Sequence, residues 1–254
     1  MQYALPVLRR MAMVLPADTQ RRVKRAYRAL QGRQVIDDEP WNTVTYNDGA
    51  ALAPDVYGLF EQIRSLPGWF NVDDIAHFTL LLGYQEARGV RGDILEIGVY
   101  HGRGACLLAR HLRDDERVVL CDAFDDADEA YEPRPSEALV RAVIARTNPA
   151  LPPARVVVHA CPSGDLMFAP GTRFRFVHID GGHSYAATLG DLRLAAAHLV
   201  DGGIVVVDDY HHTELPDVAV AVAAFFREAP EFAVVADLNR HGAVGRKLYL
   251  TRRA

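Results

Sequence analysis

Short apolar runs alternate along most of the chain with stretches in which apolar residues recur every three or four positions. The runs are rich in β-branched residues and end at glycine or acidic residues, which is typical of strands, whereas the wider spacing is typical of amphipathic helices. The alternation predicts seven strands, at 93–97, 117–121, 155–159, 174–179, 204–207, 231–237 and 245–251. It predicts helices between them, at 103–113, 136–147, 184–200 and 215–229, and a short helix near 163–168.

Strands that alternate with helices indicate a doubly wound parallel sheet, so we predict a Rossmann-like α/β fold with seven strands. The last two strands are joined only by residues 239–242. That connection is too short for a parallel crossover, so the final strand is predicted to be antiparallel. Two helices precede the sheet, one at 54–66 and one that ends near Gly89 and is capped by Asn71 or Asp73.

The N-terminal part of the chain differs in charge from the rest. Residues 1–33 contain eight basic residues and one acidic residue, and their apolar spacing suits two helices. We interpret residues 1–53 as a basic helical arm followed by an irregular linker, and residues 54–254 as the α/β domain. The arm is expected to pack on the domain or on a second subunit in a homodimer; the alternative is an anionic membrane surface.

Composition narrows the functional classes. The 254 residues are 50% hydrophobic and 24% charged, as in ordinary globular proteins. A net charge of -5 gives no general reason to bind nucleic acid. Three widely spaced cysteines argue against a disulfide framework or a zinc site, which favours a reducing, cytoplasmic compartment. No apolar stretch is long enough for a membrane span, and the N-terminus does not resemble a signal peptide.

Acidic residues and a histidine follow two neighbouring strands of the predicted sheet. Asp180 and His183 come after strand 174–179, and Asp208 and Asp209 come after strand 204–207. Since ligands bind beyond the carboxyl ends of parallel strands, these side chains are expected to converge. Three carboxylates repel one another unless a cation neutralises them, and a carboxylate-rich set favours Mg²⁺. A solvated turn and helix cap is the alternative interpretation.

A glycine-rich loop follows the first strand. Glu96 lies near the end of that strand, and Gly98, Gly102 and Gly104 follow in the order GxxxGxG. Glycines here let the backbone approach a ligand at the next helix N-terminus. The spacing suits either a nicotinamide or an S-adenosylmethionine site. A short-chain dehydrogenase also needs Tyr-x-x-x-Lys, and neither lysine of the chain completes that motif, which disfavours the dehydrogenase.

The stretch from Glu96 to Gly102 resembles the first motif of class I S-adenosylmethionine-dependent methyltransferases. The stretches 179–185 and 202–209, with Asp191 and Leu192 between them, are similar to metal-dependent sugar O-methyltransferases of the macrocin type. Residues 66–69 are also similar to a methyltransferase of methylmannose polysaccharide. The resemblance implies cofactor-binding residues, with Asp122 on the ribose and Ser163 near the adenine: Glu96, Gly98, Tyr100, His101, Gly102, Asp122, Phe124, Ser163 and Asp180. It implies Asp180, Asp208 and Asp209 as metal ligands and His183 as the general base.

The sequence therefore predicts an S-adenosylmethionine- and Mg²⁺-dependent O-methyltransferase that acts on a sugar or glycosylated metabolite. A catechol-like or phenolic acceptor is the alternative within the class, because the same metal site serves vicinal diols. A non-catalytic binding module remains a third possibility. The acidic segment 124–135 is interpreted as a lid or as a solvated loop, and His211 and His212 as residues that face the substrate or the solvent.

Overall fold

The computed structural model of the protein describes residues 54–124, 134–240 and 245–253, together with Thr19. The predicted arm and linker at 1–53 lie outside the described residues apart from Thr19. Most of the predicted lid at 124–135 also lies outside them. All seven strands of the predicted sheet fall within the described part of the chain.

The seven strands form one sheet in the order β3-β2-β1-β4-β5-β7-β6. Their bounds are β1 Asp93–Ile97, β2 Val118–Cys121, β3 Val156–His159, β4 Phe174–Ile179, β5 Leu199–Tyr210, β6 Phe232–Asn239 and β7 Arg246–Arg252. Strands β1 to β5 pair in parallel, and β7 pairs antiparallel with both β5 and β6. The predicted Rossmann-like α/β fold with an antiparallel last strand is therefore confirmed.

Helices cover both faces of the sheet. They are α1 Leu59–Ile63, α2 Val72–Ala87, α3 Arg103–Arg110, α4 Glu137–Thr147, α5 Tyr185–His198 and α6 Pro216–Glu228. One apolar core joins the sheet to α1 through α4, and a second core on the opposite face joins it to α5 and α6. Every residue of β4 is buried, as expected for a central strand covered on both faces. Each described helix is too short or too polar to cross a membrane.

Two element boundaries differ from the prediction for identifiable reasons. Helix α5 ends at His198 and β5 begins at once, whereas the sequence predicted a helix to Val200 and a strand only from Ile204. Pairing of β4 with β5 shifts register across this stretch, which lets Gly202 and Gly203 lie in a bulge. The glycines therefore mark an irregular strand rather than the stop of a helix.

The predicted helix at 54–66 is shorter than expected, because the buried guanidinium of Arg103 binds the chain that follows it. A π-helical turn, Pro54–Gly58, leads into α1. The Arg103 side chain donates to the carbonyl oxygens of Arg64 at 2.9 Å, Leu66 at 2.8 Å and Phe70 at 3.2 Å. These bonds fasten residues 64–70 to the start of α3. Helix α2 then begins with Asn71 as its N-cap in a capping box with Asp74, which confirms one of the two predicted caps.

Candidate active site

The ends of β4 and β5 bring His183 between two aspartates. Its Nε2 atom lies 3.2 Å from Oδ2 of Asp209 and 3.8 Å from Oδ1 of Asp180. All three side chains are partly exposed, and one donor atom from each lies within 4.8 Å of the others. The convergence expected at the carboxyl edge of the parallel strands is thus present, and it includes Asp208, because one ligand atom each of His178, Asp180 and Asp208 also lies within 4.8 Å of the others.

The same edge collects strained backbone. Among the described residues, five non-glycine residues have positive φ, and four of them lie at this edge: Tyr100, Phe124, Asp209 and His211. The left-handed region costs an L-residue roughly 1–2 kcal/mol. Strain of this kind persists where the surrounding structure fixes it and is frequent at functional sites. At Asp209 the fixing contact is visible, because a Cβ on Gly245 would overlap the Asp209 carboxylate.

The glycines of the loop after β1 make room for neighbouring parts of the protein. Gly98 has a φ of +84°, and a Cβ there would overlap the carbonyl oxygen of Asp180 and lie 2.7 Å from the nitrogen of Gly181. Gly104 is packed against the carboxylate of Glu96 in the same way. Gly98 therefore lets the loop and the end of β4 touch, which places the predicted cofactor loop directly beside Asp180.

Asp122 holds this loop in place. Its Oδ2 atom accepts from the backbone N–H groups of Val99 and Tyr100 at 2.7 Å each, and its Oδ1 atom accepts from the N–H of Phe124 at 2.7 Å. A carboxylate has about four lone-pair positions, so capacity for a further donor remains. The Asp122 side chain thus couples the ends of β1 and β2.

Aromatic side chains flank the loop on the side of α1 and α2. Tyr100 stacks on Trp69 with ring centroids 5.7 Å apart, and its ring meets the ring of the buried His101 edge-on at 4.2 Å. The Trp69 side chain is 55% exposed, and Arg103 holds its backbone segment in place. Phe124 is half-buried and packs against the core on the same face.

Ser163 lies beyond the end of β3. It begins a single 3₁₀ turn, Ser163–Asp165, where the sequence predicted a short helix at 163–168. Nearby, Asp191 of α5 is buried, and a Cβ on Gly181 would lie 3.6 Å from its Oδ2 atom. Burial raises the pKa of Asp191 to about 6. The adenine end predicted around Ser163 therefore has an acidic side chain beneath it.

Asp208 occupies a different environment from Asp209. Its side chain is buried, with Oδ1 2.8 Å from Nη2 of Arg240 and Oδ2 in direct contact with Nζ of Lys247. Asp74 of α2 lies 3.8 Å from each of these cations. We call Asp74, Asp208, Arg240 and Lys247 the buried ion cluster. The cluster lies beneath Asp180 and Asp209, on the face of the sheet covered by α2.

The buried ion cluster continues across the sheet to β1. Lys247 Nζ lies 3.1 Å from Nε2 of His178, and Nδ1 of that ring lies 3.0 Å from Oε1 of Glu96. These partners assign Nε2 as the acceptor and Nδ1 as the donor of a neutral imidazole. Glu96, predicted to bind cofactor, is thus part of a buried polar row, and its Oε2 has no hydrogen-bond partner among the described residues.

Sequence reasoning missed Lys247, Arg240, His178 and Asp74. A signal existed for two of them. His178 interrupts a buried apolar strand, and Lys247 is one of only two lysines in the chain and lies within a predicted strand. A charged or polar residue in such a strand requires a buried partner.

Neighbouring charges set the protonation of the site. The carboxylates of Asp180 and Asp209 stabilise the imidazolium of His183 and raise its pKa to about 10, with Asp180 making the larger contribution. Burial, with the charge of Asp208 adding to it, raises the pKa of Asp180 to about 6. Burial opposes ionisation of Asp208, but Lys247 and Arg240 outweigh it and hold the pKa of Asp208 well below its usual value. Asp208 is therefore a fixed anion with two protein counter-ions.

Residues 95–210 match the sequence model of a family described as a methyltransferase domain. No curated protein matches the chain. The fold is similar to that of the O-methyltransferase NovP, with a TM-score of 0.57 and 21% identity over 72% of this chain and 81% of that one. It is also similar to that of CalS11, a TDP-rhamnose 3′-O-methyltransferase of calicheamicin biosynthesis, with a TM-score of 0.55 and 17% identity over 81% of this chain and 96% of that one. For the O-methyltransferase TomG from Streptomyces achromogenes, the TM-score is 0.56 and the identity 18%, over 86% of this chain and 99% of that one.

These likenesses, at low identity, are likenesses of fold. The family match covers β1 to β5, which includes the glycine loop and the three aspartates at the sheet edge. It confirms the predicted class of enzyme, an S-adenosylmethionine-dependent methyltransferase. Residues 95–210 of this chain match the methyltransferase-domain model, and they lie in a seven-stranded fold similar to that of these O-methyltransferases.

Proposed function

We propose that this protein transfers the methyl group of S-adenosylmethionine to a hydroxyl oxygen of a sugar or glycosylated small molecule. The observation that carries the proposal is the position of His183, with Nε2 3.2 Å from Asp209 and 3.8 Å from Asp180 beside the loop after β1. In this reaction the carbon–sulfur bond breaks as a carbon–oxygen bond forms. His183 takes the hydroxyl proton, and S-adenosylhomocysteine leaves.

The cofactor is proposed to lie across the ends of β1, β2 and β3. The proposed contacts are Glu96, Gly98, Tyr100, His101, Gly102, Asp122, Phe124, Ser163 and Asp180. The close packing of Gly98 against Asp180 supports this position, because it puts a sulfonium bound at the loop next to the acidic edge. TomG, of similar fold, was solved in complex with S-adenosylmethionine.

A divalent cation fits the outer part of the site. Asp180 and Asp209 offer partly exposed carboxylate oxygens, the ligands that Mg²⁺ prefers, within 4.8 Å of each other and of a ring nitrogen of His183. When bound, such a cation would lower the pKa of the acceptor hydroxyl and offset the negative charge that now stabilises the His183 imidazolium. His183 can act as a base only in its neutral form. Mg²⁺, with Asp180 and Asp209 as its first ligands, is therefore part of the proposal.

The acceptor is proposed to bind against the aromatic side chains near the loop. Trp69 presents a ring that is 55% exposed and is held by its stack on Tyr100, and Tyr185 begins α5 two residues after His183. Exposed, rigid aromatic rings suit the apolar face of a sugar. That CalS11 is a TDP-rhamnose 3′-O-methyltransferase supports a sugar over a phenol.

Calorimetry tests the proposal at the level of the cofactor. S-adenosylmethionine and S-adenosylhomocysteine are expected to bind, and NADP is not. Turnover is then measured with a panel of glycosides and a panel of catechols, with and without EDTA. Tight NADP binding without S-adenosylmethionine binding would contradict the methyltransferase proposal, and turnover unchanged by EDTA would remove the cation from it. Methylation of catechols alone would replace the sugar acceptor by a phenol.

The role of Asp122 gives a separate prediction. In Asp122→Asn, an amide nitrogen replaces one of the oxygens that accept from Val99, Tyr100 and Phe124, and the negative charge is lost. A hydrogen bond to a charged group contributes about 1.5–3 kcal/mol. We therefore expect S-adenosylhomocysteine to bind roughly 10- to 100-fold more weakly by calorimetry. The control is Asp201→Asn, an exposed acid near the opposite end of β5, which should leave the affinity unchanged.

A further inference from the structure

The resemblance of the sequence to metal-dependent methyltransferases assigns Asp208 to the metal, and the contacts of Asp208 disagree. Its Oδ1 atom accepts from Nη2 of Arg240 and from the backbone N–H of Asp209, both at 2.8 Å. Its Oδ2 atom contacts the Lys247 ammonium and lies 3.7 Å from Nε2 of His178. Both oxygens are therefore already bound by donors of the protein.

We propose that Asp208 is not a metal ligand but the central anion of the buried ion cluster, in which Lys247 and Arg240 act as built-in counter-cations and positioning residues. Any divalent cation is then held by Asp180 and Asp209 alone among the aspartates. This inference rests on the proposed cation site and narrows its ligands.

Charge supports the assignment. The buried ion cluster contains two cations, Arg240 and Lys247, and two carboxylates, Asp74 and Asp208. Its positive charge thus at least equals its negative charge, and it needs no cation from outside. The demand for an added cation comes from Asp180 and Asp209, whose side chains are 36% and 21% exposed. Asp208 still repels Asp180, but its own charge is already balanced by Lys247 and Arg240.

Displacement of Lys247 by a metal would be costly. Its side chain is fully buried, and its ammonium lies 5.5–5.6 Å from the ring centroids of Phe70 and Phe78. If a metal took Asp208, the nearest other carboxylate described for Lys247 is Asp74, at 3.8 Å. Removing one partner of a buried ion pair leaves an uncompensated buried charge, which is strongly destabilising. The metal and the ammonium would also repel each other.

The direction of the side chains explains why neighbouring aspartates differ. Successive residues of a strand point to opposite faces of the sheet. Asp208 points to the face covered by α2, where Asp74 and Lys247 lie, and its side chain is only 4% exposed. Asp209, with a φ of +54°, turns its carboxylate towards His183. Arg240 links the two, since its Nη2 atom lies 2.8 Å from Asp208 and 3.5 Å from Asp209. The buried ion cluster therefore holds Asp209 in position through its Oδ1 atom, while the Oδ2 atom faces His183.

The test measures Mn²⁺ binding by electron paramagnetic resonance on the full-length protein and does not depend on turnover. The paired variant Asp208→Asn/Lys247→Met removes both members of the buried ion pair, so no charge is left alone in the interior. We expect its Mn²⁺ affinity to stay within about threefold of wild type, because Asp208 is not a ligand. The comparison variant Asp209→Asn is expected to bind Mn²⁺ at least about tenfold more weakly.

A paired variant that still binds S-adenosylhomocysteine but binds Mn²⁺ at least about tenfold more weakly would overturn the inference. Crystals soaked in Mn²⁺ give an independent result if the paired variant does not fold. Anomalous density bonded to Asp180 and Asp209, with Asp208 still on Lys247, supports the inference, and density bonded to Asp208 refutes it. If wild type binds no Mn²⁺, Asp208 is not a metal ligand, as inferred, and the cation leaves the proposed function. Failure of S-adenosylmethionine to bind would defeat the proposed function separately.

Discussion

Replacement of His183 by alanine is expected to lower methyl transfer by about 10²- to 10⁴-fold at pH 7, the usual contribution of a positioned general base. The ring is the only imidazole that the described residues place against both Asp180 and Asp209. Its described ion-pair contacts are with the partly exposed carboxylates of Asp180 and Asp209 at the edge of the sheet, so the fold and the cofactor site should persist without it. Affinity for S-adenosylhomocysteine, measured by calorimetry, is expected to change by less than about threefold.

A second measurement distinguishes a proton acceptor from a structural histidine. Imidazole added to the alanine variant should restore part of the lost turnover, which a purely structural role would not predict. The matched control is His211→Ala, which removes an exposed imidazole whose recorded ring contact is with Tyr210. Turnover of His183→Ala within about tenfold of wild type would exclude it as the base.

Replacement of Gly98 by alanine is expected to destabilise the protein and disrupt the site together. The added methyl group would overlap the backbone carbonyl of Asp180, and the φ of +84° is itself strained for alanine. Left-handed strain of roughly 1–2 kcal/mol and overpacking of roughly 1–3 kcal/mol together predict a loss of about 2–5 kcal/mol. For a chain of this size, each kcal/mol lowers the melting temperature by about 2–4 °C.

The control for Gly98→Ala is Gly190→Ala, in the exposed face of α5. A Cβ at Gly190 meets nothing within 4 Å, and its φ is not positive. Alanine there is expected to raise stability by about 0.5–1 kcal/mol, since it favours the helix. Thermal unfolding followed by circular dichroism compares the two variants. If Gly98→Ala melted within about 2 °C of wild type, the close packing of the loop against β4 would not be present in solution.

Most of the fold was predictable because each element has its own local signal. The buried run of β4, the turn signals after β1 and β2, and the short link before β7 each predicted a strand that the sheet contains. The structure of the region around Gly202 was not predictable, because a glycine can equally well end a helix or permit a bulge in a strand. Pairing with β4 decided between the two, and pairing is a property of the assembled sheet.

The site was predictable only in part. Asp180 and Asp209 follow strands whose neighbourhood the pattern predicts, so their proximity to His183 could be expected. The counter-ions of Asp208 could not be predicted from the sequence in this way. Lys247 arrives from β7, an antiparallel strand inserted beside β5, and Arg240 from the end of β6. Their partners lie 39 and 32 positions earlier in the sequence, so no local spacing joins them.

The sequence by itself determined the alternation of strands and helices, the edge at which polar residues gather and the methyltransferase motifs along that edge. These follow from side-chain periodicity, glycine conformation and chain connectivity, which are local properties. Only the tertiary structure decided which charges meet. The buried contact between Lys247 and Asp208 exists because β7 lies beside β5 and α2 closes over both. Burial makes such pairing obligatory, since an unpaired charge there would cost too much, and so it separates an aspartate that holds the site together from those that can hold a cation.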